Sequence, residues 1–126
     1  MTEKRISVLI LDDEPYLRRS IVDFLMDENR FDIFQCEDGE TGLALLKERM
    51  VDVCLVDMRL PGINGIEFIL RAQELNPDLR YIIHTGSPEE QLPKAVILGI
   101  KGFREVLYKP VTDMMEIVHA IDRAVL

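Results

Sequence analysis

Ile6-Ser7-Val8-Leu9-Ile10-Leu11 is an apolar run closed by two acids, Asp12-Asp13. An apolar run of this length, without alternation, fits a strand covered by helices on both faces, as in a parallel sheet. The same device returns along the chain. Val53-Cys54-Leu55-Val56 ends in Asp57, and Phe103-Arg104-Glu105-Val106-Leu107-Tyr108 ends in Lys109-Pro110. A further strand over 79–84 runs into Thr85-Gly86, and Phe31-Asp32-Ile33-Phe34-Gln35-Cys36 reads as a short edge strand.

Helical patterns fill the intervals. Pro15 suits a first helical turn, and Leu17, Ile21, Phe24 and Leu25 recur on one face over about 15–28. After the Asp38-Gly39 turn, Leu43, Leu46 and Met50 mark a helix over about 40–49. Ile66, Ile69 and Leu70 carry another to about Leu75, stopped by Asn76-Pro77. A helix over about 89–98 is expected, with Leu92, Ala95 and Val96 on one side and Gly99 and Gly102 setting its end. Met114, Val118, Ile121 and Val125 give the last helical stripe. Five βα units predict an α/β doubly wound three-layer sandwich, with one five-stranded parallel sheet in the order 2-1-3-4-5 and five helices. Residues 1–126 are read as a single domain.

Composition narrows the function. A net charge of −8 lacks the basic footprint of a nucleic-acid binder. No apolar run approaches the roughly 18 residues of a membrane span. Met1-Thr2-Glu3-Lys4-Arg5 leads straight into a strand rather than a signal peptide. Cys36 and Cys54 have no metal or redox spacing and are expected as buried, reduced thiols. These features place the chain in a reducing cytoplasm.

In this order of strands the ligand crevice opens between strands 1 and 3, at their carboxyl ends. Asp12 and Asp13 end one of those strands and Asp57 the other, with Lys109 and Thr85 on strands beyond. Three carboxylates in one small site repel one another and resist burial, so the set asks for a hard cation with oxygen ligands. Magnesium suits it, through Asp13 and Asp57 with Asp12 acting directly or through water, and the backbone carbonyl of Arg59 as a further oxygen. Asp57, alone on its strand, is the candidate nucleophile for an acyl phosphate. Lys109 would offset charge on the transferring oxygens and the Thr85 hydroxyl would donate to one of them, while Gly86 allows close backbone approach.

These residues resemble the receiver domains of two-component response regulators, over about 5–125. The resemblance rests on Leu11-Asp12-Asp13-Glu14, Asp57-Met58-Arg59-Leu60-Pro61-Gly62-Ile63-Asn64-Gly65, His84-Thr85-Gly86 and Lys109-Pro110. It implies a flavodoxin-like fold and a phosphoryl-accepting switch in a two-component or phosphorelay system, not an enzyme acting on separate substrates. Asp57 would take its phosphoryl group from a phosphohistidine on a sensor histidine kinase or a histidine phosphotransfer protein. Magnesium would be held by Asp12, Asp13 and Asp57. Thr85 and Lys109 would contact the phosphoryl group and shift the face built from helix 4, strand 5 and helix 5, toward a downstream effector or a homodimer. No nucleic acid or membrane contact is implied through this domain. Many family members carry Tyr or Phe where this chain has Val106. Either Tyr108, on the same strand face, stands in, or the switch works without an aromatic gate, and the second is preferred.

Other positions receive plainer readings. Arg59 and Ser87 are expected to flank the path of an attacking water and tune the lifetime of the acyl phosphate. His84 is read as a strand-end histidine with a structural hydrogen bond, His119 as partly exposed, Met114-Met115 as adaptable core or edge residues, Glu89-Glu90 as solvated first-turn acids and Asn64-Gly65 as a turn. Two other functions compete. A phosphatase with an aspartyl-phosphate intermediate needs an acid two residues after the nucleophile, where Arg59 stands. A flavodoxin-type binding module needs a hydroxyl- and glycine-rich loop after strand 1, where the chain has Asp12-Asp13-Glu14-Pro15.

Overall fold

A computed structural model describes residues 4–86 and 94–126. The chain alternates β1 (Ile6–Leu11), α1 (Pro15–Asp27), β2 (Phe31–Cys36), α2 (Gly39–Glu48), β3 (Val53–Val56), α3 (Gly65–Leu75), β4 (Arg80–Thr85), α4 (Lys94–Leu98), β5 (Phe103–Tyr108) and α5 (Met115–Ala124). All pairings are parallel, and the strands lie in the order β2-β1-β3-β4-β5. The expected switch point between β1 and β3 is therefore present.

The apolar strands bury both faces. On one face Leu9, Leu11, Cys54, Val56, Tyr81 and Ile83 meet Leu46 of α2 and Phe68, Ile69 and Ala72 of α3. On the other, Val8, Ile10, Val53, Leu55 and Ile82 meet Ile21, Val22 and Leu25 of α1 and Ile117, Val118 and Ile121 of α5. The period-two alternation of each strand sorts neighbours onto opposite faces, and both sets being apolar is what holds helices on both sides. Cys36 and Cys54 are buried free thiols. Burial raises the pKa of both, most strongly at Cys54.

Capping sets several boundaries. Asp38 accepts from the Thr41 backbone N–H at 2.7 Å and Asn64 from that of Glu67 at 2.9 Å, each satisfying an orphan donor of a first turn. Asn64 is thus more than a turn residue: it starts α3. Gly65 follows it in close packing, since a Cβ there would lie 2.5 Å from the Asp57 carbonyl oxygen. Met50 departs from the expected α2 stripe. It lies beyond the helix and is 80% exposed, because the chain is already extended at Arg49. The described part of α4 is Lys94–Leu98. Its expected start, with Glu89, Glu90 and Leu92, and the tuning residue Ser87 lie outside the described residues. No helix among the described residues is long and apolar enough to cross a membrane.

Candidate functional site

Asp12 follows β1 directly and Asp57 follows β3 directly, so the pairing of these central strands sets the two acids side by side. The ladder continues into the site: the Asp57 N–H donates to the Leu11 carbonyl at 2.9 Å, and the Asp12 N–H to the Cys36 carbonyl at 3.2 Å. Lys109 arrives from the end of β5, its N–H donating to the Thr85 carbonyl at 2.8 Å. Its ammonium lies 2.8 Å from Asp12 Oδ2 and 3.2 Å from Asp57 Oδ2. One cation thus bridges two buried carboxylates from two strands.

The other carboxylate oxygens are also held. Asp12 Oδ1 accepts from the Glu14 N–H at 2.9 Å, and Asp57 Oδ1 from the Arg59 N–H at 3.1 Å. Asp12 and Asp57 are 2% and 6% exposed, whereas Asp13 faces solvent. Burial raises the pKa of Asp57, offset in part by Lys109 and by the Arg59 N–H, while Asp12 pushes it up further. For Lys109, burial acts to lower the pKa, but its hydrogen bonds and charge contacts with Asp12 and Asp57 outweigh it, and the net shift is upward. The ammonium form is therefore locked in.

One ligand oxygen from each of Asp12, Asp13 and Asp57 lies within 4.8 Å of the others. Oxygens facing each other across an octahedral magnesium at about 2.1 Å are about 4.2 Å apart. The all-oxygen donor set and its spacing fit such an ion. Above the acids opens a cleft of about 330 Å3, lined by Asp13, Glu14, Asp57, Arg59, Gly86 and Lys109. Thr85 is buried at the last position of β4 and reaches this group through its backbone bond to Lys109. Thr85 itself is absent from the cleft lining, where its neighbour Gly86 stands.

Sequence reasoning left two contributors unassigned. Glu14 places a carboxylate oxygen 3.9 Å from the Lys109 ammonium. Arg18 donates to the Asp12 carbonyl at 2.6 Å and to Gln35 at 3.0 Å, tying α1 to the end of β1. Its place one turn into α1, on the side facing the sheet, was the available signal. His84 needs a correction. It is 2% exposed, and among the described residues neither ring nitrogen has a hydrogen-bond partner. His84 borders a cleft of about 550 Å3 that Leu17, Val111 and Met114 share with Glu14, Tyr16 and Lys109, yet none of these polar groups bonds its ring nitrogens. Burial, with the nearby Lys109 charge, lowers its pKa to about 4. His119 is exposed. Val106 packs on the α2–α3 side of the core, and Tyr108 is 57% exposed.

Comparison with known proteins agrees with this geometry. Residues 8–122 match the family model described as the response regulator receiver domain. The chain is 35% identical over 98 residues to the transcription regulator BvgA of Bordetella pertussis, covering 76% of this chain and 46% of that protein. It is 33% identical over 100 residues to the response regulator GacA of Pseudomonas aeruginosa, covering 78% and 47%. The chain thus spans about half the length of the curated relatives it matches. A CheY-like receiver domain protein from Methanospirillum hungatei superposes with a TM-score of 0.84 at 24% identity, covering 96% of this chain and 94% of that one. With the order of its strands, its switch-point acids and this match in hand, the chain belongs to the response regulator receiver domain family of two-component systems.

Proposed function

We propose that Asp57 is the phosphoryl acceptor of a signalling switch. The observation that carries this reading is the bridging of buried Asp12 and Asp57 by one ammonium, with Asp13 open to solvent at the same cleft. An Asp57 carboxylate oxygen attacks phosphorus of a phosphohistidine on a sensor kinase or phosphotransfer protein. The O–P bond forms as the P–N bond breaks, and the departing imidazole takes a proton. Lys109, already held as a cation, is placed to meet the negative charge carried by the transferred group. Asp12, Asp13 and Asp57, with the Arg59 carbonyl, would hold magnesium, which supplies positive charge to the phosphoryl oxygens. Water attack on the same phosphorus later restores the carboxylate. Arg59 lines the cleft and is assigned, together with Ser87, to tuning that step.

Phosphorylation would draw the Thr85 hydroxyl toward the new oxygens and pull on β4 and the residues that follow. The output face is then α4, β5 and α5, read by an effector or a second copy. The switch is assigned no aromatic gate because Val106 stands packed at the gate position; movement of Tyr108 into the core with a phosphoryl mimic would overturn that assignment. Such a partnership, and two buried reduced thiols, suit a cytoplasmic setting.

The test is intact-mass measurement after incubation with magnesium and phosphoramidate. A single labile adduct is expected, absent in Asp57→Asn and absent with EDTA. An adduct that persists in Asp57→Asn would overturn the assignment. Continuous turnover of phosphate esters without an adduct would favour a phosphatase instead.

A further inference from the structure

The opposite end of the sheet carries a second cleft, of about 390 Å3, lined by charges of a different pattern. Lys4 precedes β1, Arg80 opens β4, Lys101 sits in the turn before β5 and Arg104 lies on β5. All four line this cleft. Asp52 and Asp78 share the lining, yet among the described residues none of the four cations lies within 4.0 Å of a carboxylate oxygen. One Asp52 oxygen is occupied by the Ser7 N–H at 2.9 Å. Arg104 spends its Nε on the Ala124 carbonyl and one terminal nitrogen on the Phe103 carbonyl. Arg80 Nε is buried with no hydrogen-bond partner.

Arg80 Nε is closed off behind the cleft wall, while no hydrogen bond or ion pair among the described residues takes the terminal nitrogens of the same guanidinium, and a charged acceptor is the strongest partner they can gain. The backbone holds these groups in place. A Cβ on Gly102 would lie 1.8 Å from the Leu79 carbonyl oxygen, so only glycine lets the Lys101–Gly102 turn press against the start of β4. The Tyr81 N–H then donates to the Gly102 carbonyl at 2.9 Å. Arg80 and Lys101 are thereby fixed beside one another, on a chain whose net charge of −8 gives no general reason for cations to gather.

We infer that this cleft binds a small phosphorylated molecule of the nucleoside diphosphate class. Its phosphates would take the free donors of Arg80, Lys101 and Lys4. Hydroxyl groups of its sugar would donate to the carboxylates of Asp52 and Asp78 on the same wall. The volume is of the size that small-molecule sites occupy. The site lies across the sheet from Asp57 and does not depend on the phosphoacceptor reading.

The experiment is a titration of the full chain with ADP, pyrophosphate and adenosine in EDTA buffer at low salt, followed by amide chemical shifts and calorimetry. EDTA keeps a metal–nucleotide complex from engaging the aspartates at the other end. ADP and pyrophosphate should shift the amides of Leu79, Arg80, Gly102 and Arg104, leave those of Asp57 and Thr85 in place, and bind more weakly as salt rises. Adenosine alone should produce no shift. In Arg80→Gln with Lys101→Gln, affinity for ADP should fall about tenfold or more, since hydrogen bonds to charged groups are the strong ones. The wild-type shift map reads the site even if that double variant folds poorly. Shifts confined to the Asp57 end, no shift at millimolar ADP, or a folded double variant that binds ADP unchanged would each overturn the proposal.

Discussion

The two ends of the sheet handle charge in opposite ways. At the carboxyl end, opposite charges are buried and bonded to one another: Lys109 lies between Asp12 and Asp57 at 2.8 and 3.2 Å. At the amino end, cations of one sign surround an open cleft without acidic partners among the described residues, and close packing is supplied by backbone at Gly102. Each end therefore keeps its energy in a different place. At one end, removing a side-chain charge should be felt throughout the domain. At the other, removing a charge should matter little, while adding one methyl group should matter greatly.

Gly102→Ala is the strongest test. Its methyl group would meet the Leu79 carbonyl oxygen at 1.8 Å and the Leu79 carbonyl carbon at 2.9 Å, both backbone atoms that cannot rotate away. The turn must separate from β4, at a cost of about 4 kcal/mol or more. Urea denaturation should show a largely unfolded population, or no folded protein. A loss under about 1 kcal/mol would break the contrast from the amino-end side.

Lys109→Met comes next. It leaves Asp12 and Asp57 buried without their shared cation, a change that costs roughly 3 kcal/mol where one partner of a buried pair is removed. Unfolding at neutral pH in EDTA should show that loss, and magnesium should recover part of it by replacing the missing charge. Lys101→Met, at the other end, should change stability by no more than about 0.5 kcal/mol. Equal losses in the two variants would erase the distinction between the ends.

His84 reports on the carboxyl end through pH. Its imidazole is held neutral, with a pKa lowered to about 4 by burial and then by Lys109. The unfolded chain protonates near the ordinary value of about 6.5. The stability tied to the neutral ring is therefore complete above that value and is lost as pH falls toward 4. Across that window the loss amounts to about 3 kcal/mol, with each unit worth about 1.4. His84→Val should flatten the stability profile between pH 6.5 and 4 while other acid-sensitive groups keep theirs. An unchanged slope would show that the ring is hydrated or paired in solution.

The sequence reached the carboxyl end more fully than the amino end, for a physical reason. Acids at strand ends declare themselves because the strands are continuous apolar runs, and parallel topology fixes which ends converge. Asp12, Asp57 and Lys109 could be placed that way. His84 could not, because the rule that buried polar groups find partners favours a structural hydrogen bond, and the structure leaves both ring nitrogens unpaired. Arg18 carries a signal only in its place one turn into α1, and Glu14 carries none, because its approach to Lys109 depends on how the chain enters α1 over the end of β1. Met50 was drawn into the α2 stripe by its spacing, although the chain turns away at Arg49. The cations of the amino end carry no motif. Lys4, Arg80 and the Lys101–Arg104 stretch are far apart in sequence and come together only when the strand starts are aligned.

At the carboxyl end, Asp57→Asn gives a smaller effect than Lys109→Met or His84→Val, and one of opposite sign to Lys109→Met. Burial raises the Asp57 pKa above its unfolded value, even with Lys109 and the Arg59 N–H working against the shift. The folded chain therefore holds that proton more tightly than the unfolded chain does. Its contribution to stability is fully present below the unfolded pKa and is lost as pH rises through the folded one. At neutral pH the charged carboxylate is a net burden, so replacing it with a neutral amide of nearly the same shape should stabilise the protein. A gain of about 1 kcal/mol would raise the melting temperature by roughly 4 °C in a domain of this size. The gain should shrink as pH falls, opposite in direction to the change expected for His84→Val. Magnesium should raise the melting temperature of the wild type more than that of the variant, because it offsets the charge that the variant lacks. A variant less stable than wild type at neutral pH in EDTA would mean that the Lys109 contact outweighs the cost of burying Asp57. The carboxyl end would then be a stabilising ion pair like any other, rather than a site holding charge at a cost until a cation or a phosphoryl group arrives.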